Sequence, residues 1–67
     1  MATRIPPIDP LLRRPVVEQV TGLSTTGLYK LMREDDFPRP IQVSKGVVAW
    51  PQSEVEKWIN SRPRAAI

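Results

Sequence analysis

Neither cysteine nor histidine occurs in this chain. The first absence excludes disulfides and thiolate nucleophiles, and it fits a reducing cytoplasm. The second removes the commonest general base, and together they remove the usual zinc ligands. Glycine appears three times, always isolated, so no glycine-rich loop is available to cradle a phosphate. Long apolar runs are missing as well. The longest, Val47 to Trp50, falls far below the ~20 residues of a membrane span. The N-terminus carries no apolar signal-peptide region. Ser24 has no base to activate it, and the adjacent acids Asp35 and Asp36 have no partner for a metal. These absences lead us to expect no enzyme, no metal, no cofactor and no membrane partner.

What remains is small and basic. The 67 residues suffice for one domain. A chain of this size buries only about 60% of its unfolded surface, so its stability is marginal. Ten basic residues against seven acidic ones give a net charge of +3. Arg4, Arg13 and Arg14 against Asp9 leave the first 14 residues at +2, while Glu54 and Glu56 against Lys57 leave the last helix at −1. Such a balance is compatible with nucleic acid or another anionic surface.

The stretch from Val20 to Arg33 organises the rest. Gly22 permits the left-handed backbone that closes a helix, and Leu23 can fold back over the last turn. Ser24 then caps a second helix with its hydroxyl. On that helix, from about Thr25 to Glu34, Leu28, Leu31 and Met32 share one face. Thr26, Tyr29, Lys30 and Arg33 share the other. Before the turn, Pro15 suits the first position of a helix running to Thr21, with Val16, Val17 and Val20 inward. Two helices joined by a short glycine turn form a helix-turn-helix, whose second helix enters the DNA major groove. Gly27 in the first turn of that helix costs about 1 kcal/mol relative to alanine. It either lets the helix start approach DNA closely or is a neutral choice.

Phe37-Pro38-Arg39-Pro40 forbids helix and forces an extended path, with Phe37 plugging the core. Ile41 to Val43 and Val47 to Trp50 flank a short glycine-containing loop and read as a hairpin, with Ile41, Val43, Val48 and Trp50 inward. After a helix-turn-helix such a hairpin is a wing, with Lys45 at its tip. Ser53 and Glu56 have the spacing of a capping box for a third helix, about Gln52 to Ser61. Trp50 and Trp58 read as core residues rather than stacking platforms. The expected fold is α+β, a small winged helix-turn-helix of three helices and a two-stranded wing. A flexible arm (1–10), the DNA-binding domain (11–62) and a flexible tail (63–67) divide the chain.

On that fold, Lys30 and Arg33 reach phosphates or guanine edges. Ser24, Thr25 and Thr26 stand at a helix N-terminus, where hydroxyls and backbone N–H groups meet phosphate or bases. Tyr29 offers its phenol to a phosphate. Arg39 and Lys45 are further phosphate contacts. Arg13 and Arg14 are either phosphate contacts at the start of the first helix or simply solvated side chains, and Arg4 in the arm has the same two readings.

The succession Leu12-Arg13-Arg14-Pro15, Val20-Thr21-Gly22-Leu23-Ser24, Tyr29-Lys30-Leu31-Met32, Phe37-Pro38-Arg39-Pro40, a hairpin closing on Trp50, and Ser53-Glu54-Val55-Glu56-Lys57-Trp58 resembles the AlpA family. These are small phage and prophage regulators with a MerR-like winged helix-turn-helix, akin to excisionases. The likeness spans roughly Leu11 to Arg62. Thr25-Thr26-Gly27-Leu28 departs from the family's usual helix start, and the hairpin loop lacks the family's arginine. The resemblance implies binding to double-stranded DNA in the bacterial cytoplasm. It implies an excisionase, or recombination directionality factor, that bends attachment-site DNA to assist a phage integrase, or alternatively a transcriptional regulator of prophage genes. A protein-interaction adaptor that kept the fold is the rival from another class. Only four residues follow Pro63, too few for a coiled coil. The expectation is therefore a monomer that binds DNA cooperatively, head to tail.

Overall fold

The computed structural model describes residues 8–66. Arg4 and most of the arm lie outside them. In chain order the elements are β1 (Leu11–Leu12), α1 (Arg14–Thr21), α2 (Thr25–Arg33), β2 (Ile41–Ser44), β3 (Val47–Pro51) and α3 (Gln52–Asn60). This is the expected winged helix-turn-helix with one addition. The strands form a three-stranded antiparallel sheet in the order β1-β3-β2, not a two-stranded hairpin. Leu11 pairs with Pro51 and Leu12 with Trp50. A two-residue strand carries no alternation of its own, so only its distant partner reveals it.

Local chemistry sets the helix ends. Arg13 is extended ahead of α1, and its carbonyl accepts the N–H groups of Val16 and Val17, both at 3.0 Å. Pro15 occupies the first turn, where an N–H is not needed. At the far end Gly22 adopts φ 77° and donates its N–H to the Glu18 carbonyl at 2.8 Å. Ser24 caps α2, its hydroxyl accepting the Gly27 N–H at 3.1 Å. A Schellman arrangement closes α2. Asp36 N–H donates to the Leu31 carbonyl at 2.8 Å and Asp35 N–H to the Met32 carbonyl at 3.1 Å, with Asp35 itself left-handed at φ 56°.

The capping box expected of Ser53 and Glu56 does not form. Glu56 instead accepts the side-chain N–H of Gln52 at 2.9 Å. Asp9 provides the cap of α3, accepting the Ser53 backbone N–H at 3.0 Å and its hydroxyl as well. The Pro10 carbonyl takes the Gln52 N–H at 2.8 Å. The end of the segment read as an arm is thus pinned to α3.

Val17, Leu28, Met32, Phe37, Trp50 and Val55 form the core. Trp50 is fully buried, and its indole N–H donates to the Pro38 carbonyl at 2.8 Å. Phe37 wedges between the tryptophans, edge-on to Trp50 at 6.4 Å and to Trp58 at 4.8 Å between centroids. Trp58 is half-buried and donates its indole N–H to the Asp36 carbonyl. Removing Trp50 would cost about 3–5 kcal/mol, a large share of the stability of so small a domain.

Two parts of the expected core lie outside it. Ile41 and Val43 are exposed, because β2 is an edge strand and α1 and α3 pack on β3. Ala49 and Pro51 are buried in β3 beside Trp50. In α1 only Val17 is fully enclosed. Val16 and Val20 are exposed and, with Leu12, Val55 and Ile59, line an apolar groove between α1 and α3.

Candidate nucleic-acid interface

The turn between α1 and α2 brings Arg14 against Thr25. Leu28 and Met32 point into the core, so Thr26, Tyr29, Lys30 and Arg33 face outward, as the 3.6-residue period dictates. Tyr29 stands at the centre and is 43% exposed. It shares one concavity with Arg13, Arg14, Gly46 and Val48, which places the start of α1 beside the wing turn. It shares a second with Arg33, Arg39 and Pro40. Arg13, Arg14, Tyr29, Arg33 and Arg39, half of the predicted residues, thereby form a band from beside the wing turn, across α2, to the extended segment after it.

The wing turn is built from Lys45 and Gly46. Gly46 takes φ 74°, a backbone that other residues rarely adopt. Gln42 pairs with Val48 and Ser44 with Val47, so Val43 is the extra residue of a bulge that increases local twist. Lys45 is exposed at the tip.

Among the described residues, the side chains of Arg13, Thr26, Tyr29, Lys30, Arg33 and Lys45 make no hydrogen bond or ion pair. Their donors are available to a ligand. Arg39 pairs with Asp35 at 3.4 Å, with both side chains well exposed, and a pair of that kind restrains it little. Ser24 accepts the Gly27 N–H and keeps its own proton to donate.

Arg14 and Thr25 are different. The Arg14 Nη1 donates to Glu18 Oε2 at 2.6 Å and to Thr25 Oγ1 at 3.1 Å, and the Thr25 hydroxyl donates to the same Glu18 oxygen at 2.7 Å. The Thr25 hydroxyl, followed by Arg14, holds the Glu18 carboxyl below its ordinary pKa. Glu18 was not among the residues expected at the site. Its position four residues after Arg14 was the available signal, since such a pair meets on one helix face.

Gly27 lies close under the cap of α2. A Cβ there would sit 3.3 Å from the Ser24 hydroxyl, so a larger residue would need the capping side chain to give by a few tenths of an ångström. Chemically, the band offers cations, hydroxyls and a helix N-terminus, a set suited to anionic oxygens and base edges. Among the described residues, no three Asp or Glu side chains converge as metal ligands would. No helix there is long and apolar enough to cross a membrane.

Residues 10–63 match the family described as prophage CP4-57 regulatory protein (AlpA). The uncharacterized protein ORF88 of enterobacteria phage P4 is 39% identical over 51 residues. That match covers 76% of this chain, which spans only 58% of the relative's length. By the extent of the family match, and with the winged helix-turn-helix it lies on, the chain belongs to the AlpA family of prophage regulatory proteins.

Proposed function

We propose that the chain is a sequence-specific DNA-binding protein of phage type and acts as an excisionase. The carrying observation is the outward face of α2. Thr26, Tyr29, Lys30 and Arg33 stand there unpaired among the described residues, with the arginines at the start of α1 and the wing turn on one side of Tyr29 and Arg39 on the other. With α2 in the major groove, Lys30 and Arg33 reach base edges or phosphates, while Ser24 and Thr26 donate at the helix start. Arg13, Arg39 and Lys45 contact phosphates on either side. The DNA-contacting unit is 11–62, with Asp9 and Pro10 at the end of the arm capping α3. It binds as a monomer, and a heterologous contact between neighbours propagates head to tail along direct repeats.

The reading is tested by gel shift against prophage attachment-site DNA in rising salt. The expected result is specific binding that weakens steeply with salt. No shift at low salt overturns it.

A second reading, transcriptional control of prophage genes, is favoured by the family's description as regulatory. The two are separated by supplying integrase from an unrelated promoter and measuring prophage excision. Excision that still requires this chain supports the excisionase. Excision that no longer requires it, with expression from the native integrase promoter still responding, supports the regulator.

A further inference from the structure

The triangle formed by Arg14, Glu18 and Thr25 spans the turn between α1 and α2, and it constrains what each member can offer a ligand. Thr25 has one hydroxyl proton, and that proton is given to Glu18. Its oxygen accepts from Arg14 and retains acceptor capacity only. Phosphate oxygens are acceptors too, so Thr25 in this state has nothing to give them. It can accept from an amino group on a base edge, such as cytosine N4 or adenine N6. Arg14 uses both protons of Nη1 inside the triangle, which leaves Nε and Nη2 as its remaining donors. Arg14 is a poor general-purpose cation here, because Glu18 neutralises it and fixes its direction.

We propose that Glu18 is a specificity-determining positioning residue of the DNA-contacting face. It sets Thr25 as a hydrogen-bond acceptor and aims Arg14 at one phosphate. This rests on the DNA-binding reading above. The carboxylate makes no contact with DNA and acts through its two partners. A free Arg14 would find phosphates on any sequence, so removing the carboxylate trades sequence discrimination for indiscriminate attraction.

The test compares wild type, Glu18→Gln, Thr25→Val, the double variant and Glu54→Gln. Glu54→Gln is a charge-matched control on α3, away from the triangle. Each is titrated with attachment-site DNA and with scrambled DNA of the same length, across a range of salt. Thermal unfolding confirms that each is folded. For Glu18→Gln the expected ratio of specific to scrambled binding falls about tenfold, with the scrambled affinity rising. The slope of log affinity against log salt steepens by about one phosphate contact. Glu54→Gln leaves the ratio unchanged. Thr25→Val also lowers the ratio, yet adds no further loss on top of Glu18→Gln, because both changes remove one linked arrangement.

An unchanged ratio in folded Glu18→Gln, with wild type binding specifically, overturns the proposal and leaves the DNA reading intact. A loss equal to that of Glu54→Gln overturns it as well, since charge alone then explains the effect. Absence of specific binding by the wild type overturns the DNA reading, and the proposal with it.

Discussion

The carboxylate of Asp9 accepts the backbone N–H of Ser53 at 3.0 Å and closes the N-terminus of α3 from the far end of the chain. It replaces the side-chain cap that Pro51, at the N-cap position, cannot supply. Asp9→Ala should cost about 1 kcal/mol, the usual value of a helix cap. In a domain this size that lowers the melting temperature by about 4–8 °C. Circular dichroism of the two proteins checks this. An unchanged melting temperature would show that solvent caps α3 equally well.

Asp35 occupies a left-handed conformation at the end of α2, where a side chain strains the backbone and an acid opposes the helix dipole. Asp35→Gly relieves both and loses only the exposed pair with Arg39. Glycine's greater freedom in the unfolded chain offsets part of the gain. The expected net effect is stabilisation by about 0.5–1 kcal/mol, visible as a higher urea midpoint with an unchanged slope. A lower midpoint would mean that the Arg39 pair outweighs the backbone strain.

The hydrogen bonds from Thr25 and Arg14 hold Glu18 below its ordinary pKa. A depressed folded-state value means the unfolded chain binds the proton more readily. The contribution is complete above the unfolded glutamate value and is lost as pH falls through the folded one. The urea midpoint of wild type should therefore fall through the acid range more than that of Glu18→Gln. Parallel curves for the two proteins would contradict this.

Lys30 and Arg33 are expected to read bases, and Lys45 to contact phosphate. Lys30→Ala and Arg33→Ala should each weaken specific binding by about 1–3 kcal/mol and relax sequence preference. Lys45→Ala should weaken all sequences alike and reduce the salt slope by about 1. If the α2 variants bind normally while Lys45→Ala abolishes binding, the wing rather than α2 carries recognition.

Much of this fold was readable because its signals are short-range. Gly22 closing α1, Ser24 capping α2, and the outward placement of Tyr29, Lys30 and Arg33 all depend on residues a turn or two away. The hairpin was visible in its β-branched runs and in Gly46. The same local logic misled where a nearby partner was available but a distant one bound instead. Ser53 and Glu56 have capping-box spacing, yet Asp9 takes the Ser53 N–H. Ile41 and Val43 alternate like a buried strand, yet they lie on an uncovered edge.

By itself, the sequence determined which residues are helical, where the chain turns, and that α2 has an apolar and a basic face. Hydrogen bonds across three or four residues and the helical period suffice for that. Only the tertiary structure decided that Leu11 and Leu12 complete the sheet, that Val16 and Val20 border an open groove, and that Arg14 and Thr25 are bound to Glu18. Periodicity specifies that a side chain is buried or paired, but its partner is chosen by the packing of elements remote in sequence. For that reason the outline of the candidate interface was legible, while the division between its free donors and its committed ones was not.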